Sequence, residues 1–208
     1  LIAYQTAYLK KHYPIYFFCA SMNTELSNTD KLNLFYEELK KLKLKILPPC
    51  INNSYSEFLP NKKEEIYYAL SAIKAVGYDS ISKIVLERES NGVYKNLNDF
   101  LSRNSSKNLN KLQLEGLVQA GAFDNFDDNR KSLYNSIPSI ILKSKNVHEN
   151  KSINQIDLFA SDEIEENNFI EKIQDWSQDV KLNKEFETLG FYISDHPLNQ
   201  FKSLFNQY

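Results

Sequence analysis

Leu70-Ser-Ala-Ile-Lys-Ala-Val-Gly77-Tyr-Asp-Ser-Ile-Ser-Lys-Ile-Val-Leu-Glu-Arg-Glu89 reads as two short helical pieces hinged at a glycine. Leu70, Ile73 and Val76 recur at helical spacing and form the apolar face of a first helix. Gly77 supplies a turn in which φ can be positive or a neighbouring backbone can come close. Beyond it, Ile81, Ile84 and Val85 face the core from a second helix that starts near Ser80. A second stretch repeats the plan: Leu112, Leu114, Leu117 and Val118 lead into Ala120-Gly121-Ala122-Phe123, and Leu133, Ile137, Ile140 and Ile141 return.

Helix, small-residue hairpin, helix is a construction suited to holding phosphate. Small residues let the hairpin amides of Lys74, Ala75, Val76 and Gly77, or of Ala120, Gly121 and Ala122, reach a phosphate oxygen. The positive end of the following helix then points at that oxygen, and a nearby cation neutralises it. Candidate cations are Lys74 and Lys83 in the first unit, and Lys111, Arg130 and Lys131 in the second. Such contacts hold the DNA backbone without reading bases. The alternative is that Gly77 and Gly121 are ordinary helix C-caps in a small bundle.

Outward from these units, residues 1–22 read as helix interrupted at Pro14. Asn28 or Thr29 caps a helix carrying Leu32, Phe35, Tyr36, Leu39 and Leu42. Pro48-Pro49 ends that unit. Ser56–Leu59 and Glu65–Tyr68, joined across Pro60-Asn61-Lys62-Lys63, read as a short β-hairpin. Residues 143–168 lose periodicity and read as a flexible linker. An amphipathic segment, Phe169–Leu189, precedes an extended exit from Gly190. The expected fold is mainly α: a short-helix bundle with tandem helix-hairpin-helix units, a small β-hairpin and that linker.

Composition narrows the function classes. With 42% hydrophobic and 13% aromatic residues the chain can build a core, so wholesale disorder is excluded. Residues 1–50 carry seven Lys/Arg against four Asp/Glu and residues 69–145 eleven against eight, whereas 146–208 carry five against twelve. A mildly basic body with an acidic tail suits a protein that touches nucleic acid with one part only. Cys19 and Cys50 suggest neither a disulfide framework nor a zinc site, and His12, His148 and His196 lack metal-ligand spacing. Asp127-Asp128 reads as a polar turn and helix start rather than a metal pair. No apolar run approaches a membrane span and no signal peptide is visible, so a cytoplasmic location without membrane contact is expected. The chain begins at Leu1 inside apparent helix, as a piece of a longer protein would.

Within the acidic linker lies Gln155-Ile156-Asp157-Leu158-Phe159, whose Leu-Phe pair has no core of its own to enter. Two apolar anchors beside a directional amide suit a pocket on another protein. The pattern Gln-x-x-Leu-Phe resembles the peptide by which bacterial replication proteins dock on the sliding clamp, with Leu158 and Phe159 as anchors and Gln155 as hydrogen-bonding amide. Ile156 then makes peripheral contact and Asp157 faces solvent.

Several further stretches occur in a telling order. They are Ala3-Tyr-Gln-Thr-Ala-Tyr-Leu-Lys-Lys-His-Tyr-Pro14, Asn28-Thr-Asp-Lys31, Leu47-Pro-Pro49, Ala72-Ile-Lys-Ala-Val-Gly77, Leu112 to Asp124, and Glu187-Thr-Leu-Gly-Phe-Tyr-Ile-Ser-Asp-His-Pro-Leu198. Together they resemble the C-terminal half of the bacterial replicative DNA polymerases of the C family, the polymerase III alpha subunits. The resemblance implies that residues 1–48 end the fingers region, 49–68 form a connector with the hairpin, and 69–142 are a tandem helix-hairpin-helix domain gripping duplex DNA. It implies that 143–168 carry the clamp-binding peptide and that 169–208 lead toward an oligonucleotide-binding domain. The parent extends a primer by nucleotidyl transfer with divalent metal (Mg), held by palm carboxylates that would lie before Leu1. This piece, with no cofactor of its own, is therefore expected to be inactive by itself. Double-stranded DNA, the clamp and, through the parent chain, other replicase subunits are the implied partners. Three positions depart from the family pattern: Ala75 where Gly is usual, Leu112 where a basic residue is common, and Asp195 for a usual Gly. The alternative function is a helix-hairpin-helix module of a repair or recombination protein.

Overall fold

A computed structural model describes residues 1–104, 109–152 and 170–201. Two helices, α1 (Ile2–His12) and α2 (Pro14–Asn23), meet at Pro14, which occupies the first helical position of α2. There its missing N–H costs nothing. The side chain of Asn28 accepts from the Lys31 amide at 3.2 Å and so starts α3 (Thr29–Lys41), as the sequence signal predicts.

Three two-residue strands follow: β1 (Ile46–Leu47), β2 (Leu59–Pro60) and β3 (Ile66–Tyr67). β2 and β3 are the predicted hairpin, antiparallel with Leu59 opposite Tyr67. Asn61 shapes its loop, its side-chain oxygen accepting from the Lys63 and Glu65 amides at 2.8 and 2.9 Å. The expectation missed β1, which lies parallel to β3 on the other side, Leu47 beside Tyr67. A parallel neighbour arrives from elsewhere in the chain, so no local turn announces it.

A single 3-10 turn (Leu70–Ala72) precedes α4 (Tyr78–Asn91), α5 (Leu97–Arg103), α6 (Lys111–Gln119), α7 (Arg130–Ser152) and α8 (Gln178–Leu189). The first helix expected from Leu70, Ile73 and Val76 is thus only that turn. Its amides go elsewhere: Leu70 N–H donates to Tyr55 O at 2.8 Å and Lys74 N–H to Thr188 O at 3.0 Å. Leu70, Ile73 and Val76 are nevertheless buried, because the segment threads the middle of the core. α7 also runs past the expected linker start at 143, to Ser152. A helix closes its own hydrogen bonds, and from Ser139 to Ser152 no Pro or Gly interrupts it.

One contiguous apolar cluster joins α2, α3, the sheet and the helices from α4 to α7. The tail folds back onto it rather than leaving. Gly190 adopts φ +84° after α8, and Phe191 stacks on Tyr36 of α3 with ring centroids 4.6 Å apart. Buried Glu185 accepts from the Ile193 and Ser194 amides at 2.6 and 2.9 Å, which turns the expected extended exit into a docked corner. Among the described residues no helix is long and apolar enough to cross a membrane.

Candidate nucleic-acid interface

The first hairpin projects from the core between two supports. Its residues Lys74, Ala75 and Gly77 are exposed while Val76 points inward. One support is the Lys74 amide bond to Thr188 at the end of α8. The other is Gly116 of α6, where a Cβ would lie 2.8 Å from the Lys74 carbonyl oxygen and 3.3 Å from Val76. Only a residue without a side chain lets α6 approach that closely without displacement.

Gly77 is the N-cap of α4, with φ −82° and ψ 140°, so it uses no glycine-specific conformation. The left-handed residue is Ala75, at φ +65°. The positive φ that the sequence allowed at Gly77 is thus found two residues earlier, at Ala75, one of the positions where the resemblance leads to an expectation of glycine. Among the described residues no side chain caps the start of α4, and Gly77, Tyr78 and Asp79 are exposed there. A helix leaves its first-turn amides without intrahelical partners, and here they lie at its positive end on an exposed turn. Lys74 is exposed beside them and Lys83 lies on the solvent side of α4. Asp79, in the same first turn, offsets part of that positive potential.

Gln113 ties the two units together. It completes a capping box with Asn110 at the start of α6, each accepting the other's amide at 2.9 Å. Its side-chain amide reaches across to Ser80 Oγ in α4 at 3.0 Å. The buried Arg88 of α4 donates to the carbonyls of Ile51 and Ser54 at 2.7 and 2.8 Å and holds the connector on the helix. Gln113, Arg88 and Gly116 are not among the residues the sequence singled out, although Arg88 continues the apolar stripe of Ile81, Ile84 and Val85, and Gly116 interrupts a helical pattern. Both irregularities are legible signals of close packing.

The second hairpin is built differently from the expectation. Ala120, Gly121 and Ala122 are buried and their amides close the end of α6. Gly121 N–H donates to Val118 O at 3.0 Å and Ala122 N–H to Leu117 O at 2.9 Å, with Gly121 at φ +78°. That double bond around a left-handed glycine is a Schellman cap, so these amides are committed to the helix end. The Ala122 carbonyl accepts from Ile51 at 2.8 Å, which seals the hairpin under the connector. Arg130, buried, chelates Asp124 through Nε (2.9 Å) and Nη2 (2.6 Å) and reaches Gln119 O at 3.2 Å. It is a structural cation rather than a free neutraliser, because its charge and donors are already matched. Lys111 is exposed and pairs loosely with Glu115 at 3.7 Å. Lys131 is half-buried, its amide donating to Asp175 at 3.0 Å. Of the two predicted hairpins the first is the more exposed, but its Lys74 and Val76 amides are committed to Thr188 O and Ile73 O at 3.0 Å each. The expectation of phosphate-facing amides thus narrows to Ala75, Gly77 and the start of α4.

Gln155, Ile156, Asp157, Leu158 and Phe159 lie outside the described residues. The segment after them is anchored: Asn129 Nδ2 donates to Ile173 O at 2.7 Å, and Asp175 pairs with Lys181. Burial alone would raise the Asp175 carboxyl, but hydrogen bonds from Lys181, Lys131 and Trp176 outweigh it and hold it below its ordinary value. Asp127 accepts the Asn129 amide at 2.9 Å in a turn, and among the described residues no group of three or more His, Cys, Asp or Glu is placed to hold a metal ion.

Comparison with known proteins agrees with this architecture. The helix-hairpin-helix motif family matches residues 43–133. DNA polymerase III subunit alpha of Borreliella burgdorferi is 38% identical over 212 residues, covering 100% of this chain. Those of Escherichia coli K12 and Neisseria meningitidis are 36% and 39% identical over 213 and 204 residues, covering 100% and 97% of it. The chain spans 18% of the length of each of these relatives. Along its whole length the chain belongs with the DNA polymerase III alpha subunits, as a segment that carries a helix-hairpin-helix motif.

Proposed function

We propose that this chain is the part of a bacterial replicative DNA polymerase that holds duplex DNA and tethers the enzyme to its sliding clamp. The observation that carries the DNA half is the uncapped, exposed start of α4, presented by Lys74–Gly77 and braced by Gly116 and Thr188. A phosphate oxygen there would complete the unpaired amides and meet the positive helix end, with no dependence on base sequence. Lys74, Lys83 and Lys111 supply diffuse positive charge, and Lys131 stands at the margin. Arg130 and Ala120–Ala122 act behind the surface by keeping α6 and α7 in place.

The clamp half rests on Gln155–Phe159 and its resemblance to clamp-docking peptides. Two modest tethers on one chain raise the effective concentration of each, so release requires both to let go. Nucleotidyl transfer and its divalent metal ions belong to the parent enzyme, which acts in the cytoplasm with the other replicase subunits. This segment alone incorporates no nucleotide in a primer-extension assay.

The test is titration of the chain with random-sequence duplex at several salt concentrations, and calorimetric titration into a bacterial sliding clamp. Duplex affinity falls with salt at about 0.9 log unit per phosphate neutralised, and Lys74→Gln with Lys111→Gln flattens the slope by about two such increments. Leu158→Ala with Phe159→Ala abolishes clamp binding and leaves the duplex titration unchanged. A salt-independent duplex titration, or clamp binding indifferent to that double substitution, defeats the corresponding half.

A further inference from the structure

Beside the first hairpin lies a second surface that the phosphate grip does not use. The three short strands and the loop before them enclose a cleft of about 560 Å³. Its floor follows from the strand register: Leu47 and Leu59 flank Tyr67 on the two sides, so all three side chains share one face. Tyr55 forms the facing wall, its ring centroid 6.1 Å from that of Tyr67. Both rings are half-exposed, and Lys62 and Lys63 stand exposed at the rim.

One wall of the cleft has a fixed cation against it. The guanidinium of Arg88 lies 5.0 Å from the centre of the Tyr55 ring and is itself fixed by two backbone carbonyls. A cation over an aromatic face is attracted by the ring and favours that orientation of it. The acidic groups nearby are engaged: Glu65 pairs with Lys45 at 3.0 Å and accepts from Asn61, and Glu57 accepts from Tyr78 at 3.0 Å. Glu64 remains exposed at the turn, between the lysines and Glu65.

The cleft is also continuous with the hairpin unit. Tyr55 O accepts from Leu70 N–H at 2.8 Å, Ser71 Oγ donates to Ser56 O, and Ser56 Oγ meets Ser82 Oγ of α4 at 3.1 Å. The Glu57–Tyr78 bond closes the seam at the exposed start of α4. These bonds tie the segment that carries Tyr55 to the hairpin unit and to the start of α4.

We propose that the Tyr55–Tyr67 cleft is a stacking platform for single-stranded DNA, with Lys62 and Lys63 holding its backbone. Inside a duplex both faces of every base are covered by neighbours, so only an unpaired base can lie on these rings. The proposal rests on the reading that the first hairpin faces DNA, since continuity with that hairpin delivers the strand. It differs from that reading in using side-chain rings where the hairpin uses backbone amides.

The experiment is fluorescence anisotropy of a labelled oligothymidylate and, in parallel, of a blunt duplex, with the whole chain. Tyr67→Ala weakens oligothymidylate binding about tenfold, the loss of one stacked base, and leaves the duplex titration in place. Tyr67→Phe retains the binding, and Lys62→Gln with Lys63→Gln lowers its salt dependence while leaving the fold intact, because both lysines are exposed. Oligothymidylate that does not bind, that binds Tyr67→Ala as the wild type, or that is lost together with the duplex overturns the platform. Loss of duplex binding with Tyr67-dependent oligothymidylate binding retained would refute the hairpin reading and leave the platform standing.

Discussion

Ala75 and Gly121 both occupy left-handed backbone, with φ of +65° and +78°, and they show how differently one conformation can be filled. For a residue with a Cβ that region costs about 1–2 kcal/mol. Ala75 bears this strain on an exposed turn, so Ala75→Gly relieves it and raises stability by up to about 1 kcal/mol after the entropy of the unfolded chain is counted. Thermal denaturation detects that as a rise of about 2–4 °C for each kcal/mol. Removing the methyl also opens the hairpin backbone, and duplex affinity rises with it under the proposed grip. Gly121 has no such latitude, because a methyl there would overlap the Arg130 guanidinium and the Asp124 carboxylate. Gly121→Ala costs at least about 2 kcal/mol, read as a lowered midpoint in urea.

Helix ends carry much of the organisation between elements. Asn96 caps α5 and Asn110 caps α6, each side chain accepting an amide three residues on at 2.9 Å. Asn110→Ala removes one half of the capping box and costs about 1 kcal/mol by denaturant unfolding. Gln113→Ala costs more than that, since it also leaves Ser80 without its partner across the α4–α6 boundary. Arg103 works at the opposite pole of α4. It chelates Glu87 through Nε at 2.8 and 3.0 Å and donates to the Gly92 carbonyl at 2.7 Å, so a cation satisfies the negative helix end. Glu87 is held below its ordinary pKa: burial would raise it, and hydrogen bonds from Arg103, Tyr94 and Asn91 prevail. The negative pole of α4 is thus satisfied internally, while its N-terminal pole, the end that favours anions, lies exposed.

At the scale of the molecule, the first hairpin depends on segments far away in sequence. Thr188 at the end of α8 holds Lys74, and Asp175 with Lys181 holds the start of α8 against α7. Asp175 therefore reports on the assembly of the whole. Its folded pKa lies below the unfolded value, so its stabilisation is fully present above the unfolded pKa and is lost as pH falls through the folded one. Asp175→Asn is less stable than wild type at neutral pH, and the two unfolding midpoints converge below the ordinary aspartate range. A difference that persisted unchanged in acid would assign the contribution to packing instead of charge.

Much of this organisation was legible along the chain. The apolar periodicity of α3, α4 and α7, the cap at Asn28, the break at Pro14 and the hairpin around Asn61 are each specified by residues within a few positions of one another. Local backbone preferences and side-chain reach are enough to determine such features. What only the tertiary structure decided is which backbone remains available. Leu70–Ala72 is one 3-10 turn and not a helix: the Lys74 amide, which a helix would return to Leu70 O, is taken by Thr188 O. The two hairpins look alike in sequence, yet one is sealed by Ile51, Arg130 and Asp124 while the other stands in solvent. Sequence periodicity marks which side chains are apolar, whereas exposure of an amide depends on chain brought from many residues away. That is a property of packing, and no local pattern encodes it.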